Sequence, residues 1–315
     1  MTTRHKVVLD TDPGIDDALA ILLGLASPEI ELLGLSIVGG NCPLAEGVSN
    51  ALGVLALGGA AHVPVAAGVA LPLLRPAFTA TKIHGVSGLG YAQLPPTSAG
   101  PVAEHGVDLL IREVMAAPGE VTVVAIGPLT NLALALRKEP RIAAAVREVI
   151  IMGGAFRVDG NASPLAEFNI YVDPHAAQMV FMSGMPLLIM PWDITRNVKL
   201  YPADIERLLH VGGPIVRLIA DATRFYIEAH ELNYGFAACS VNDPAALVLA
   251  FLPELARVRP VHITVETASE LTMGATVADF RGFTGQSANA RLVVDFDTPR
   301  FIALLLERLE QLARR

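Results

Sequence analysis

The 315 residues are 52% apolar and only 17% charged, a balance that fits a globular chain with a large core and excludes a disordered one. With 23 basic and 31 acidic residues the net charge is -8, which leaves no electrostatic footprint for a nucleic acid and favours a small polar ligand or a cation as partner. Two distant cysteines, Cys42 and Cys239, match neither a disulfide framework nor a zinc spacing, and reduced thiols fit a cytoplasmic protein.

Behind Met1-Thr2-Thr3-Arg4-His5-Lys6, residues 7–9 read as a strand that stops at Asp10, too short for a signal peptide. No stretch approaches the ~20 apolar residues of a membrane helix, so no membrane partner is expected. Residues 17–26 have helical periodicity, with Ala18, Ile21, Leu22 and Leu25 on one face. A strand over 31–38, a helix over 45–57 closed by Gly58-Gly59, and a short strand over 63–66 follow. A loop rich in Pro, Gly and Thr runs from 68 to about 101, a length typical of lids and binding loops. The alternation resumes with a helix over 102–116, a strand over 121–126, a helix over 129–137 and a strand over 149–152. A Gly-rich loop over 153–169 leads to a helix over 174–182 and a strand over 187–191. Residues 202–251 read as mostly helical, 258–266 and 291–295 as strands, and 299–315 as a closing helix. Repeated strand-loop-helix units with buried strands predict an α/β protein with a Rossmann-like, open, mainly parallel sheet, as a single domain over 1–315. In such sheets ligands bind beyond the carboxyl ends of the strands.

Asp10-Thr11-Asp12-Pro13-Gly14-Ile15-Asp16-Asp17 sets four carboxylates within eight residues, where a strand turns into a helix. Helix capping accounts for one or two of them. Four repel one another unless a cation or protons neutralise them, and all-oxygen donors suit Ca²⁺ or Mg²⁺ rather than zinc. A strand ending in Asp-x-Asp also opens haloacid-dehalogenase-type phosphatases, with Asp10 as nucleophile. Gly14 departs from that pattern, and no phosphate-cradling loop with Lys follows.

The segment Asp10–Ala18 resembles the N-terminal signature of the inosine-uridine-type nucleoside hydrolase family. Val38-Gly39-Gly40-Asn41, Ile83-His84-Gly85, Ile126-Gly127-Pro128-Leu129-Thr130-Asn131, Met152-Gly153-Gly154-Ala155, the run from Asn161 to Asn169, Asp173-Pro174 and Asn242-Asp243-Pro244-Ala245 resemble it in the same order. The resemblance implies a calcium-dependent enzyme that hydrolyses the N-glycosidic bond of ribonucleosides. It implies that Asp12, Asp17, Asp243 and the backbone carbonyl of Ile126 ligate Ca²⁺, with Asp10 orienting that shell. Asp12 resembles the general base that takes a proton from the attacking water. Asp16, Asn41, Glu167 and Asn169 match ribose-binding positions, and Asn161 one that meets the 5'-hydroxyl. Phe168 and His84 are expected near the nucleoside. The cap over the base is expected from the long loop and residues 224–236, where Phe225, Tyr226, Tyr234 and Phe236 could stack on it, with Trp192 and Gln286 as further candidates. A homodimer or homotetramer acting in salvage is implied too.

Each role has a plainer alternative. Asp243 could cap a helix before Pro244. The three asparagines could shape turns, Glu167 could be a solvated loop acid, and His84 could be an exposed loop residue. One departure matters. Many pyrimidine- and inosine-cleaving members carry His just before the last metal Asp, placed to protonate the leaving base; this chain has Asn242, which is no acid near neutral pH. His230, His84 or Tyr234 could take over. A protein that binds nucleosides without turnover is the alternative, although such a binder has no need of Asp12 as a base.

Overall fold

The computed structural model describes residues 4–315; Met1-Thr2-Thr3 of the N-terminal segment lie outside the described residues. Nine strands form one sheet: β1 (His5–Thr11), β2 (Ile30–Ile37), β3 (Val65–Ala67), β4 (Val121–Ala125), β5 (Glu148–Met152), β6 (Leu187–Met190), β9 (Ala256–Val265), β10 (Thr276–Asp279) and β11 (Ala290–Phe296). Their order is β10-β9-β11-β6-β5-β4-β1-β2-β3. All pairings from β11 through β3 are parallel, and β9 turns antiparallel to β11 and β10 at one edge. β7 (Lys199–Leu200) and β8 (Cys239–Ser240) make a separate two-stranded ribbon.

Alternation within each strand feeds two cores, one per face of the sheet. Val7 and Leu9 of β1, Val124 of β4, and Ile150 and Met152 of β5 pack into one core. Val8, Val123 and Ala125, with Val149 and Ile151, pack into the other. Strands buried on both faces have no reason to be polar at alternate positions, hence their continuous apolar runs.

The expected elements are present with small shifts. The helix expected from 102 starts only at Gly106, because His105 accepts from the Val107 N–H and caps it. The region read as mostly helical holds helices Pro202–Leu209, Pro214–Tyr234 and Asn242–Leu247, with β8 before the last of them and its partner β7 just ahead of the first. β10 lies where no strand was expected. A four-residue edge strand in which only Thr276 and Val277 favour extended backbone, followed by Ala278 and Asp279, carries little signal.

β1 lies between β4 and β2. From β1 the chain builds outward to β2 and β3, then crosses to β4, β5 and β6 on the other side. The crevice between the carboxyl ends of β1 and β4 is thus a switch point, where α/β sheets bind ligands.

Candidate active site

β1 delivers Asp10 and Thr11 to that crevice, and Pro13-Gly14 turns the chain into helix Ile15–Ala26, whose first turn carries Asp16 and Asp17. Asp17 accepts hydrogen bonds from Thr11 Oγ1, from the backbone N–H groups of Gly14 (2.9 Å) and Asp12 (3.3 Å), and from Asn41 Nδ2 (2.9 Å). Asp12 Oδ2 accepts from the Asn41 N–H at 2.7 Å, while its buried Oδ1 has no partner. Such close approach requires glycine around it: a Cβ on Gly40 or on Gly127 would collide with the Asp12 carboxylate. Asp10 Oδ1 accepts from Asn131 Nδ2 at 2.8 Å, and its Oδ2 is unpartnered.

Asp243 enters from the first turn of helix Asn242–Leu247. Asp16, Asp17 and Asp243 each offer an oxygen, all within 4.8 Å of one another and all buried. Burial first, then repulsion from Asp16, Asp17 and Asp12, raises Asp243 well above the usual carboxylate range. Burial and then Asp17 do the same to Asp12. Burial holds Asp10 and Asp16 at about 7. Among the described residues no Lys or Arg pairs with any of these acids. His84 Nδ1 comes to 4.0 Å from Asp16 Oδ1, but burial pushes this imidazole down to about 3, so it is uncharged at neutral pH. Crowded buried oxygens with no compensating cation fit a hard divalent ion. Of the expected ligands, Asp17 and Asp243 belong to this trio. The third member is Asp16, expected on the ribose, whereas Asp12 stands outside the trio and in range to repel all three. The Ile126 carbonyl accepts from Asn169 Nδ2 at 2.9 Å and keeps a second lone pair.

A cavity of about 510 Å³ opens over these groups, a size that suits a small-molecule ligand. Its polar lining includes Asp16, Asn41, Glu167, Asn242 and Asp243, with Ile126 also at its wall; its ring-bearing lining is Phe78, His84, Phe168, Trp192, Tyr226, His230 and Tyr234. Asn161 and Asn169 also border it, whereas Asp10, Asp12 and Asp17 are not part of its lining. His84, on the short helix Thr81–His84, is buried and accepts the Ile15 N–H on Nδ1 at 3.0 Å, so the neutral ring carries its proton on Nε2. His230 donates from Nδ1 to the Ala238 carbonyl at 3.0 Å, which leaves Nε2 as an acceptor; burial lowers it to about 4.

Glu167 is no solvated loop acid. It is buried, caps helix Phe168–Val172 through the N–H groups of Asn169 (3.0 Å) and Ile170 (3.3 Å), accepts from Gly154 N–H (3.0 Å), and is raised by burial to about 6. Asn161 Oδ1 accepts the Phe168 N–H at 2.8 Å, which closes the Gly-rich loop. Phe225 packs edge-on against Tyr91, Phe236 stacks on His230, and neither they nor Gln286 border the cavity. Sequence reasoning missed Asn131 as a site residue. Its signal was its place in the motif after β4, but its partner Asp10 is 121 positions away.

A family model of the inosine-uridine preferring nucleoside hydrolases matches residues 7–303. The chain belongs to this family. The pyrimidine-specific ribonucleoside hydrolase RihA of Salmonella arizonae is 40% identical over 305 residues, covering 96% of this chain and 98% of that one. The solved structure of a purine-preferring ribonucleoside hydrolase from Gardnerella vaginalis superposes with a TM-score of 0.94 at 32% identity, over 98% of this chain and 99% of that one. A plant nucleoside hydrolase, PpNRh1, gives a TM-score of 0.88 at 35% identity, over 97% and 98% of the two chains. This nucleoside hydrolase is thus an enzyme of N-glycosidic bond cleavage and not a phosphatase. No helix among its described residues is long and apolar enough to cross a membrane.

Proposed function

We propose that the enzyme hydrolyses ribonucleosides to ribose and free base in a calcium-dependent reaction. The observation that carries this reading is the trio Asp16, Asp17 and Asp243, buried without a compensating cation beside a nucleoside-sized cavity. In this reading Asp12, Asp17, Asp243 and the Ile126 carbonyl hold Ca²⁺, which when bound supplies positive charge that acidifies a water and anchors ribose hydroxyls.

The rest is the work of the chain itself. Asp12 has a free Oδ1 and a carboxylate raised by burial, which suits a base that takes the water's proton. Asp10, held by Asn131, orients this shell. Asp16, Asn41, Glu167 and Asn169 face the ribose, and Asn161 its 5'-hydroxyl. Their carboxylates stabilise the positive charge that develops on the sugar ring as the bond to the base breaks. His84 offers its Nε2–H to the base, and Phe168 and Asn242 complete the nucleoside's surroundings. The same reading takes the chain as one domain, a homodimer or homotetramer, acting in cytoplasmic base salvage.

Free-base release from a panel of purine and pyrimidine nucleosides, with Ca²⁺ and then with chelator, tests the proposal and names the base. Chelator-sensitive release is the expected result. Metal-dependent nucleoside binding without release would overturn it.

A further inference from the structure

Asn242 occupies the position where many relatives were expected to carry an acid, yet its amide is engaged elsewhere. Its Nδ2 donates to Asp16 Oδ2 at 2.8 Å, across 226 positions of sequence. The side chain is 8% exposed, and its Oδ1 has no hydrogen-bond partner. The asparagine amide nitrogen carries two N–H donors, and one of them is committed to one of the three clustered carboxylates. Tyr226, from helix Pro214–Tyr234, lies beside the same carboxylate and favours its charged form. A neutral donor fixes a carboxylate without cancelling its charge. A protonated histidine or a lysine at 242 would pair with Asp16 and compete with a cation.

The contact belongs to a pattern. Asn41 donates to Asp17, Asn131 to Asp10, and Asn169 to the Ile126 carbonyl. Asp10, Asp16, Asp17 and the Ile126 carbonyl are thus each steered by an uncharged side-chain amide. We propose that Asn242 is a positioning residue that holds Asp16 within the carboxylate cluster and takes no part in protonating the leaving base. This rests on the calcium-dependent hydrolase reading.

The test is a double-mutant cycle on Asn242→Leu, which keeps volume without the amide, and Asp16→Ala. Calorimetric titration with Ca²⁺ alone is the first readout. Asn242→Leu should weaken Ca²⁺ about 10–100-fold, because Asp16, though it faces the ribose, lies within 4.8 Å of the ligand oxygens of Asp17 and Asp243 and loses the partner that keeps it from crowding them. It should add nothing in the Asp16→Ala background. The second readout is kcat/KM for p-nitrophenyl riboside, whose leaving group departs without protonation, against uridine. Both substrates should lose the same factor. Additive losses in the cycle, or unchanged Ca²⁺ affinity with a loss confined to uridine, would overturn the proposal and make Asn242 a leaving-group contact. Thermal unfolding of each variant checks folding, and Asn242→Ser carries the cycle if the leucine variant does not fold. Should the wild type bind Ca²⁺ but release no base, the hydrolase reading fails while the calorimetric cycle still decides the role of Asn242.

Discussion

Asn131 donates its Nδ2 to Asp10 Oδ1 at 2.8 Å, and the same nitrogen reaches Ser36 Oγ at 2.9 Å and the Ile37 carbonyl at 3.1 Å. Its Oδ1 takes the Val69 N–H at 2.8 Å. One buried amide thereby ties the ends of β1 and β2 to the loop after β3. Asn131→Leu should leave these groups unpaired and destabilise the fold by about 1–3 kcal/mol. Urea unfolding measures this, and an unchanged midpoint would mean that the tie carries no stability.

Gly40 and Gly127 grip the Asp12 carboxylate from two sides, and neither has the left-handed backbone that only glycine adopts readily. Alanine at either position therefore acts through its methyl group, which forces Asp12 aside. Gly40→Ala and Gly127→Ala should each lower kcat sharply, since misplacement by about 1 Å can cost ~10²-fold. Activity equal to wild type would mean that the position of Asp12 is not critical.

Asp12→Asn keeps the shape of the side chain and its bond to the Asn41 N–H but removes the base that the proposed function assigns to it. Loss of general-base help should lower kcat by about 10²–10⁴-fold. Rapid-mixing measurement of base release checks it, and near-normal turnover would remove Asp12 from the chemistry.

The carboxylate cluster sets a pH dependence whose sign is fixed. Asp10 and Asp16 titrate at about 7 when folded, against ~3.9 in an unfolded chain. Between those values the folded protein binds more protons, so ion-free stability falls as pH rises from about 4 through about 7. His84 and His230, lowered to about 3 and about 4, act in the opposite sense, and their contribution is complete above ~6.5. In chelator, Tm should therefore fall between roughly pH 6.5 and pH 8. Added Ca²⁺ should raise Tm more at the upper end of that range, because binding only the folded state stabilises it. Scanning calorimetry in chelator and in Ca²⁺ tests both, and a Tm that rises with pH in chelator would contradict the protonated cluster.

Local chemistry was legible in the sequence wherever one segment held its own explanation. The strands β1, β2, β4 and β5 announced themselves by apolar runs that end at turn residues, and the four aspartates after β1 announced a charge problem. Contacts between distant segments were not legible. The amides of Asn41 and Asn169 were expected on the ribose. Both border the cavity, yet their Nδ2 groups bond Asp17 and the Ile126 carbonyl. His84 and Glu167 each had an exposed alternative that burial rules out. β10 escaped notice because a short edge strand needs only its neighbour β9, and no periodicity marks it.

The placement of Asp243 has a consequence for how the protein is made. Asp10 through Asp17 emerge early in synthesis, whereas Asp243 and its helix emerge more than two hundred residues later. A nascent chain thus holds two neighbouring acids of the trio that repel each other, and no third oxygen to complete the grip on an ion. Ion capture becomes a late event, possible only once helix Asn242–Leu247 docks against helix Ile15–Ala26. Partly made chains therefore lack the complete set of carboxylate oxygens that a cation would need.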